Sequence, residues 1–305
     1  MPAPRYTLVT GEFYIRYDDL PRNGPEPDGD TINFLPDSDD LVQSLPRFSG
    51  RPPDRRHLDT YGVRFEGIDA LETHFNNQHQ NLQFAQAARD RMLQLMGFGD
   101  VQFWSDQPNK IQSAQHHLVP GYLLANGIES NGRVLGLVFP GQPDLGAVDG
   151  DRVFVDEAIL EASVNAALVR AGLAYGELYA TMPLDLILRM RQLVTSARQN
   201  GSGFWPQENV TIDARVQLKD LADLPELIMF PKLYRRLVTY FRAGNVGLAS
   251  FDTWIRADPV NRDDTALLPT GELGNLHDLY DVDSGGITLR LLPEDLTFEP
   301  DPIVR

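Results

Sequence analysis

The sequence contains no cysteine and no uninterrupted apolar run of about 18 residues. The first absence excludes disulfide bonds, thiolate zinc sites and cysteine nucleophiles. The second excludes a membrane-spanning helix. Residues 1–7 also lack the apolar centre of a signal peptide. These absences together predict a cytoplasmic protein that does not contact a membrane.

Positive charge is scarce as well. The chain has 27 Lys and Arg residues against 43 Asp and Glu residues, a net charge of −16. Such a surface repels nucleic acid, because non-specific affinity comes mostly from cations that contact phosphates. Net charge does not describe a cleft, however, since a few arginines and a divalent cation create a local positive site. This balance therefore excludes a broad basic binding face but not a confined one.

The length and pattern predict two domains of the α+β class. A chain of 305 residues with 42% hydrophobic content is long enough for two cores. Short strands followed by helices indicate a small β-barrel with buttressing helices over residues 1–208, and a smaller α+β domain over residues 209–305. Predicted strands cover residues 6–17 (one strand, or two broken at Gly11), 31–35, 61–68, 101–104, 133–139, 245–256 and 286–298; predicted helices cover 78–96, 163–173, 183–198 and 216–242 (interrupted at Pro225 and Pro231); predicted irregular segments cover 36–60 and 105–120.

Three carboxylates are candidates for binding a hard cation and for acting as a general base. Asp30 and Asp69 are candidate ligands for Ca²⁺ or Mg²⁺, which prefer oxygen donors. Glu72 follows Asp69 by three residues and is a candidate general base for a water molecule. Taken singly, Asp30 is more typical of an Asp-Gly turn, and Glu72 is more typical of an exposed glutamate. The hypothesis depends on their occurring together.

Two arginines complete the set. Arg64 and Arg133 are candidate phosphate ligands, since a guanidinium offers paired donors and binds best when negative charge grows on the equatorial oxygens. Ordinary salt bridges are the alternative for each. Strict strand alternation would place Asp69 on the opposite face from Arg64. The strand must therefore end or bulge near Gly67 for the two side chains to share a cleft.

Aromatic and basic residues outside this set give weaker signals. Tyr175 and Tyr179 are candidates for stacking on a base or sugar, with core packing as the alternative. Residues 230–242 form a basic cluster with interleaved aromatics, which is compatible with nucleic-acid binding. Its alternative is an amphipathic helix that buries the aromatics and turns the cations to water.

Five motifs stand in the order found in one nuclease family. Together they resemble the staphylococcal nuclease (thermonuclease) family over roughly residues 8–208. Two departures are Leu71, where the family usually has proline, and Ser130-Asn131, which replaces a basic and an aromatic contact. The motifs are Asp-Gly-Asp-Thr-Ile at 28–32, Arg-Phe-Glu-Gly-Ile-Asp-Ala-Leu-Glu at 64–72, Asn-Gly-Arg-Val-Leu-Gly at 131–136, the helix at 163–174 and Gly-Phe-Trp at 203–205.

The resemblance implies a five-stranded oligonucleotide-binding (OB-fold) barrel with three helices. It also implies an endonuclease that hydrolyses DNA and/or RNA with Ca²⁺, or with Mg²⁺ or Mn²⁺, by in-line attack of water that leaves 3′-phosphate ends. The metal ligands would be Asp30, Asp69 and the Ala70 backbone carbonyl. Glu72 would handle the water, and Arg64 and Arg133 would hold the phosphate.

A second class of function stays open. The barrel would then be a catalytically inactive module that binds nucleic acid or protein, an alternative favoured by the acidity and by the missing basic contact. Residues 209–305 resemble no family that their sequence identifies. Self-association and binding of a regulatory partner are the alternatives for this segment.

Overall fold

The structure is a computed structural model that describes residues 5–283 and 286–300. Its elements confirm a mixed α+β architecture. The strands are β1 (Arg5–Tyr14), β2 (Thr31–Pro36), β3 (Tyr61–Phe65), β4 (Gly67–Ala70), β5 (Gln102–Trp104), β6 (Gln107–Ser113), β7 (Leu118–Ile128), β8 (Val134–Pro140), β9 (Arg152–Phe154), β10 (Ala174–Glu177), β11 (Thr265–Leu267), β12 (Leu273–Asn275), β13 (Tyr280–Asp283), β14 (Gly286–Leu289) and β15 (Thr297–Phe298). The helices are α1 (Asp39–Gln43), α2 (Leu82–Met96), α3 (Glu157–Ala162), α4 (Val164–Arg170), α5 (Leu184–Gln199), α6 (Pro231–Arg242) and α7 (Phe251–Arg256).

A closed five-stranded barrel forms the centre of the fold. Its strand order is β2-β3-β8-β7-β1, and β1 closes the ring by pairing with β2. All neighbours are antiparallel except β3 and β8, which are parallel. Of the two alternatives for this segment, one continuous strand is confirmed, since β1 runs through Gly11. A Cβ there would lie 2.1 Å from the Leu35 carbonyl oxygen, so glycine allows the two strands to approach closely.

The chain leaves the barrel at Glu66. Strand β3 ends at Phe65, and β4 begins at Gly67, whose φ of +80° suits glycine best. Strand β4 then pairs with β10 in a separate two-stranded sheet. The strand break near Gly67, which strand alternation requires, is therefore present. It allows the side chains of Arg64 and Asp69 to face one cleft.

Three helices pack near the barrel as the sequence predicts. Helix α2 starts at Asn81, whose side chain accepts a hydrogen bond from the Phe84 N–H at 3.2 Å, and it stops at the left-handed Gly97. Helix α4 is capped by Ser163, and Pro183 directly precedes α5. Their buried faces follow the helical spacing that the sequence displays.

Several segments differ from the prediction. Strand β7 was not predicted, and the helix predicted over residues 216–242 is confirmed only for α6, which begins at Pro231. Residues 105–120 are not an irregular loop, because β6 pairs with β5 in a hairpin whose exposed polar side chains hide the alternation. Residues 245–256 are not a strand. Glycines with positive φ at 244 and 247 interrupt the segment, and Phe251 and Ile255 then bury one face of α7 at helical spacing.

The C-terminal segment packs directly on the barrel-containing part. Phe298 lies against Tyr179 with ring centroids 5.9 Å apart, and its backbone hydrogen bonds with Leu178 and Ala180. Arg198 donates to Glu294 at 3.0 Å. A domain boundary at residue 208 stays a prediction. Within residues 5–283 and 286–300, no helix is long and apolar enough to cross a bilayer.

Asn165 holds the break at Glu66 in place, and its loss should destabilise the fold. Its side-chain amide donates to the carbonyls of Glu66 (2.9 Å) and Gly136 (3.2 Å) and accepts from the Val138 N–H (3.0 Å). Asn165→Ala leaves these buried groups unpaired, so we expect a loss of about 3 kcal/mol in the free energy of unfolding. Urea denaturation measures it. Asn200→Ala, at the exposed end of α5, should change stability by no more than about 0.5 kcal/mol. Equal effects of both substitutions would contradict this role.

Candidate active site

One cavity collects most of the polar residues singled out in the sequence. It has a volume of about 580 Å³ and lies between the end of the barrel, the β4–β10 pair and helix α6. Its lining combines residues from distant parts of the chain. The side chains that matter here are Asp30, Arg64, Glu72, Arg133, Tyr179 and Arg235.

Asp30 is fixed at the start of β2. One of its carboxylate oxygens accepts a hydrogen bond from the Ala70 N–H at 2.6 Å, and the other side of the carboxylate forms an ion pair with Arg64. Burial tends to raise the pKa of Asp30, but the charge and hydrogen bond of Arg64 lower it below its ordinary value. Burial and the charges of Asp30 and Glu72 raise the pKa of neighbouring Asp28 to about 7.

Arg64 joins three carboxylates, which lie directly before β2, on β4 and on β10. Besides Asp30, it contacts Asp69 Oδ1 and Glu177 Oε2, both at 2.7 Å. Asp69 is 0% exposed and Glu177 is 5% exposed, so these charges are compensated inside the protein and not by water. The predicted convergence of Arg64 and Asp69 is thus present, with Glu177 as an additional member.

Glu72 follows β4 and lies at the cavity wall. Its backbone is held by Gln80, which accepts from the Glu72 N–H at 3.2 Å and donates its own N–H to the Glu72 carbonyl at 2.9 Å. Burial raises the pKa of the Glu72 carboxyl, against the opposing charge of Arg235. A raised pKa makes the ionised carboxylate a better proton acceptor than an exposed glutamate.

Arg133 lies at the edge of the same cavity, before β8. Its guanidinium contacts Glu129 Oε1 at 3.1 Å, and a weaker contact reaches Thr31 Oγ1 at 3.4 Å. Arg133 therefore does not join the ion pairs around Arg64 directly. Its partner Glu129 is a carboxylate that an incoming phosphate would have to replace.

The C-terminal segment supplies cations that the sequence analysis did not place at the site. Arg235 on α6 contacts both oxygens of Asp69 at 3.0 Å and Glu72 Oε1 at 2.7 Å. Lys232, one turn earlier, lies 3.2 Å from Glu177 and 3.2 Å from Asp264. The alternative prediction for residues 230–242, an amphipathic helix, is confirmed for the aromatic residues of α6, which are buried. It is wrong about these two cations, which face carboxylates and not bulk water.

The two tyrosine candidates have different positions. Tyr175 is 0% exposed, stacks on Phe204 with centroids 4.9 Å apart and donates to Glu208. Its candidate role in substrate stacking is corrected to core packing, because a ring enclosed on all sides cannot meet a nucleotide. Tyr179 lines the cavity, where its hydroxyl accepts from Lys232 at 3.0 Å.

The donor chemistry of this cavity suits a hard divalent cation. Asp30, Asp69 and Glu72 are carboxylates joined to one another through two shared arginines. In this structure, their oxygens are engaged by guanidinium groups and by the Ala70 N–H. Among the described residues, no three His, Asp or Glu side chains are arranged to hold a metal ion. These oxygen donors are thus of the kind that such a cation prefers, but their charges are already partly compensated.

Part of the chain matches a known protein family. Residues 62–207 match the family model described as staphylococcal nuclease homologue. The match extends from β3 to the turn after α5 and includes Arg64, Asp69, Glu72 and Arg133. It confirms the resemblance for this part of the chain and indicates a nuclease-type fold there.

The rest of the chain is not covered. The matched range is shorter than the range of about 8–208 that the motifs predict, and Asp30 lies outside it, although β1 and β2 complete the same barrel. The C-terminal region matches no family model. No curated protein matches the chain.

Glu66, which the sequence analysis did not select, should make stability depend on pH. It lines the cavity, accepts from Asn126 at 2.5 Å, and burial raises its pKa to about 7 against an ordinary value of 4.5. Between these values the unfolded chain releases the proton and the folded chain keeps it. The stabilisation is therefore lost as pH rises through this window, and the loss levels off above pH 7.

We expect wild type to lose up to about 3 kcal/mol more than Glu66→Gln between about pH 4.5 and pH 8. The measurement is urea denaturation of both proteins at several pH values. Other titrating groups, including Asp28, are common to both proteins and cancel in the difference. Parallel stability profiles for the two proteins would contradict a raised pKa at Glu66.

Proposed function

We propose that this protein hydrolyses phosphodiester bonds of DNA and/or RNA as a divalent-cation-dependent endonuclease. The observation that carries the proposal is the convergence of Asp30, Arg64 and Glu72 at one cavity, with buried Asp69 in contact with Arg64, within a staphylococcal nuclease type of fold. A base, a guanidinium and hard oxygen ligands within one cavity suit attack of water on a phosphodiester.

Each residue has a distinct role in this proposal. The Glu72 carboxylate accepts a proton from the attacking water as its oxygen bonds to phosphorus, and the bond from phosphorus to the 5′ oxygen breaks on the opposite side. The departing 5′ oxygen takes a proton from solvent water, so the products are a 3′-phosphate end and a 5′-hydroxyl end. Arg64 binds a non-bridging phosphate oxygen and compensates the charge that grows there. Arg133 binds a second such oxygen after releasing Glu129.

The proposed cation is Ca²⁺, with Mg²⁺ or Mn²⁺ as alternatives. Asp30, Asp69 and the Ala70 carbonyl would hold it. When bound, it would neutralise phosphate charge and lower the pKa of a nearby water molecule. Arg64 already contacts both carboxylates, so it keeps their oxygens directed toward one region whether or not a cation is present.

The recessed cations suit a short stretch of nucleic acid in a cavity more than a broad basic surface. Arg64 and Lys232 are nearly buried, while the net charge of the chain is −16. Tyr179 remains the candidate for contact with a base or sugar. Binding should accordingly be weak and confined to the few nucleotides that enter the cavity.

A catalytically inactive binding module is the second candidate. One observation favours it, namely that Arg235 already contacts both Asp69 and Glu72. The two candidates differ in whether purified protein breaks the phosphodiester bond. Self-association or a regulatory partner at the C-terminal segment stays a further hypothesis, and a cytoplasmic location stays a prediction.

The test is cleavage of single-stranded DNA, duplex DNA and RNA by the full chain, in Ca²⁺, Mg²⁺, Mn²⁺ and chelator. We expect cation-dependent cleavage that falls at least about 100-fold in Glu72→Gln, because general-base catalysis contributes at least this factor. Arg133→Ala should lose about 100-fold through weaker charge stabilisation. End-group analysis should find 3′-phosphates.

The matched control is Glu157→Gln on helix α3, an exposed glutamate 3.7 Å from Arg189. It should cleave at the wild-type rate. Wild-type cleavage that persists unchanged in Glu72→Gln would show that the base is assigned wrongly. A folded wild-type protein that cleaves none of the substrates with any cation would favour the binding module.

A further inference from the structure

Arg235 lies where the proposed cation site and the proposed base meet. Its guanidinium bridges Asp69 Oδ1 and Oδ2, at 3.0 Å each, and Glu72 Oε1 at 2.7 Å. It therefore engages one proposed metal ligand through both of its oxygens and the proposed base through one. A guanidinium and a divalent cation seek the same carboxylate oxygens.

The charge balance of the site favours competition between Arg235 and a divalent cation. The carboxylates of Asp30, Asp69 and Glu72 carry three negative charges, and Arg64 carries one positive charge. The remaining two negative charges match one divalent cation. Arg235 cancels one of them, and this leaves a net single negative charge. Glu177 does not restore the balance, since Lys232 lies 3.2 Å from it. The other carboxylate beside Lys232, Asp264, is also paired with Arg236 at 2.7 Å.

Helix α6, which carries Arg235, is anchored on both sides of the cavity. The Tyr234 hydroxyl donates to the His79 carbonyl at 2.6 Å, and Gln80 donates to the Met229 carbonyl at 2.8 Å just before the helix. Lys232 binds Asp264, and Leu237 is fully buried. The helix thus delivers Arg235 from a fixed position.

The side chain has more freedom than the helix that carries it. The Arg235 side chain is 21% exposed at the cavity, whereas Asp69 is 1% exposed. Its stem contains several rotatable bonds, so the guanidinium can leave Asp69 without any movement of α6. A bound cation and a displaced Arg235 are therefore compatible with the fold described above.

We propose that Arg235 is a positioning residue that competes with the divalent cation for Asp69 and Glu72 and so lowers the cation affinity of the site. The C-terminal segment thereby sets the cation concentration at which the nuclease works. This inference rests on the proposed function in its choice of cation ligands. It concerns binding, however, and is measurable without any cleavage.

The experiment is calorimetric titration of the full chain with CaCl₂ in the absence of nucleic acid. We expect Arg235→Ala to bind Ca²⁺ at least about tenfold more tightly than wild type, because a positive charge next to the ligands is removed. Thermal unfolding gives a second readout. Arg235→Ala should be less stable than wild type in chelator, and Ca²⁺ should raise its melting temperature more than that of wild type.

Two further variants test whether the change in Ca²⁺ affinity arises at the proposed site. Arg242→Ala is the matched control, because Arg242 lies on the same helix but is exposed and donates to the Asn76 carbonyl outside the site. Its Ca²⁺ affinity should equal that of wild type. Adding Asp69→Asn to Arg235→Ala should abolish the gain, which separates the site from weak Ca²⁺ binding elsewhere on an acidic surface. If Arg235→Ala does not fold, Arg235→Gln replaces it with the same expectation.

The outcomes are distinct. Tighter Ca²⁺ binding in the Arg235 variant, lost again with Asp69→Asn, supports the inference even if no nucleic acid is cleaved. Unchanged or weaker Ca²⁺ binding in the Arg235 variant overturns it, even if wild type proves to be a nuclease. Cleavage that persists in chelator and is lost in Arg235→Ala would also overturn it, because Arg235 would then serve in place of the cation.

Discussion

The buried contacts of Arg64 are the interaction on which the site and its surroundings depend. One guanidinium joins Asp30 before β2, Asp69 on β4 and Glu177 on β10, and so ties the barrel to the neighbouring two-stranded sheet. Removing one partner from such a network leaves a buried charge uncompensated, at a cost of about 3–5 kcal/mol. The same contacts hold Asp30 and Glu177 at one cavity and Asp69 directly beside it. Stability and the capacity for chemistry therefore rest on the same atoms, and any variant at Arg64 changes both.

The sequence alone identifies the candidate site residues that lie close together along the chain. Arg64, Asp69 and Glu72 lie within nine residues, and the requirement that the strand break near Gly67 follows from alternation alone. The family resemblance extends this to Asp30 and Arg133, which share the cavity. Glu177 and Arg235 could not be found in this way. They lie 113 residues from Arg64 and 166 residues from Asp69, and nothing in their local sequence distinguishes them from ordinary charged residues of a strand end and a helix.

The fold was predictable to a similar degree and for similar reasons. Four of the five barrel strands and helices α2, α4 and α5 carry clear periodicity and clear end signals, such as the Ser163 cap and Gly97. Strand β7 was not predicted, because Pro120, Gly121 and Gly127 interrupt its apolar pattern. The hairpin of β5 and β6 has little buried surface, so polar side chains mask its alternation. In residues 245–256, a short apolar stretch fits a strand and a helix equally well until the tertiary partners of Phe251 and Ile255 are known.

The close packing of the C-terminal segment on the barrel also bears on how this sequence can change over generations. Arg235 contacts Asp69 and Glu72, and Phe298 contacts Tyr179, so residues on either side of position 208 are each other's immediate environment. Loss of the acid at position 69 would remove one of the carboxylates that Arg235 contacts, and loss of the arginine would remove one of the two guanidinium groups that contact Asp69. Relatives that carry both segments should therefore show paired substitutions across this contact. In relatives that lack the C-terminal segment, the surface that it covers here would be exposed, and its residues should be free to vary.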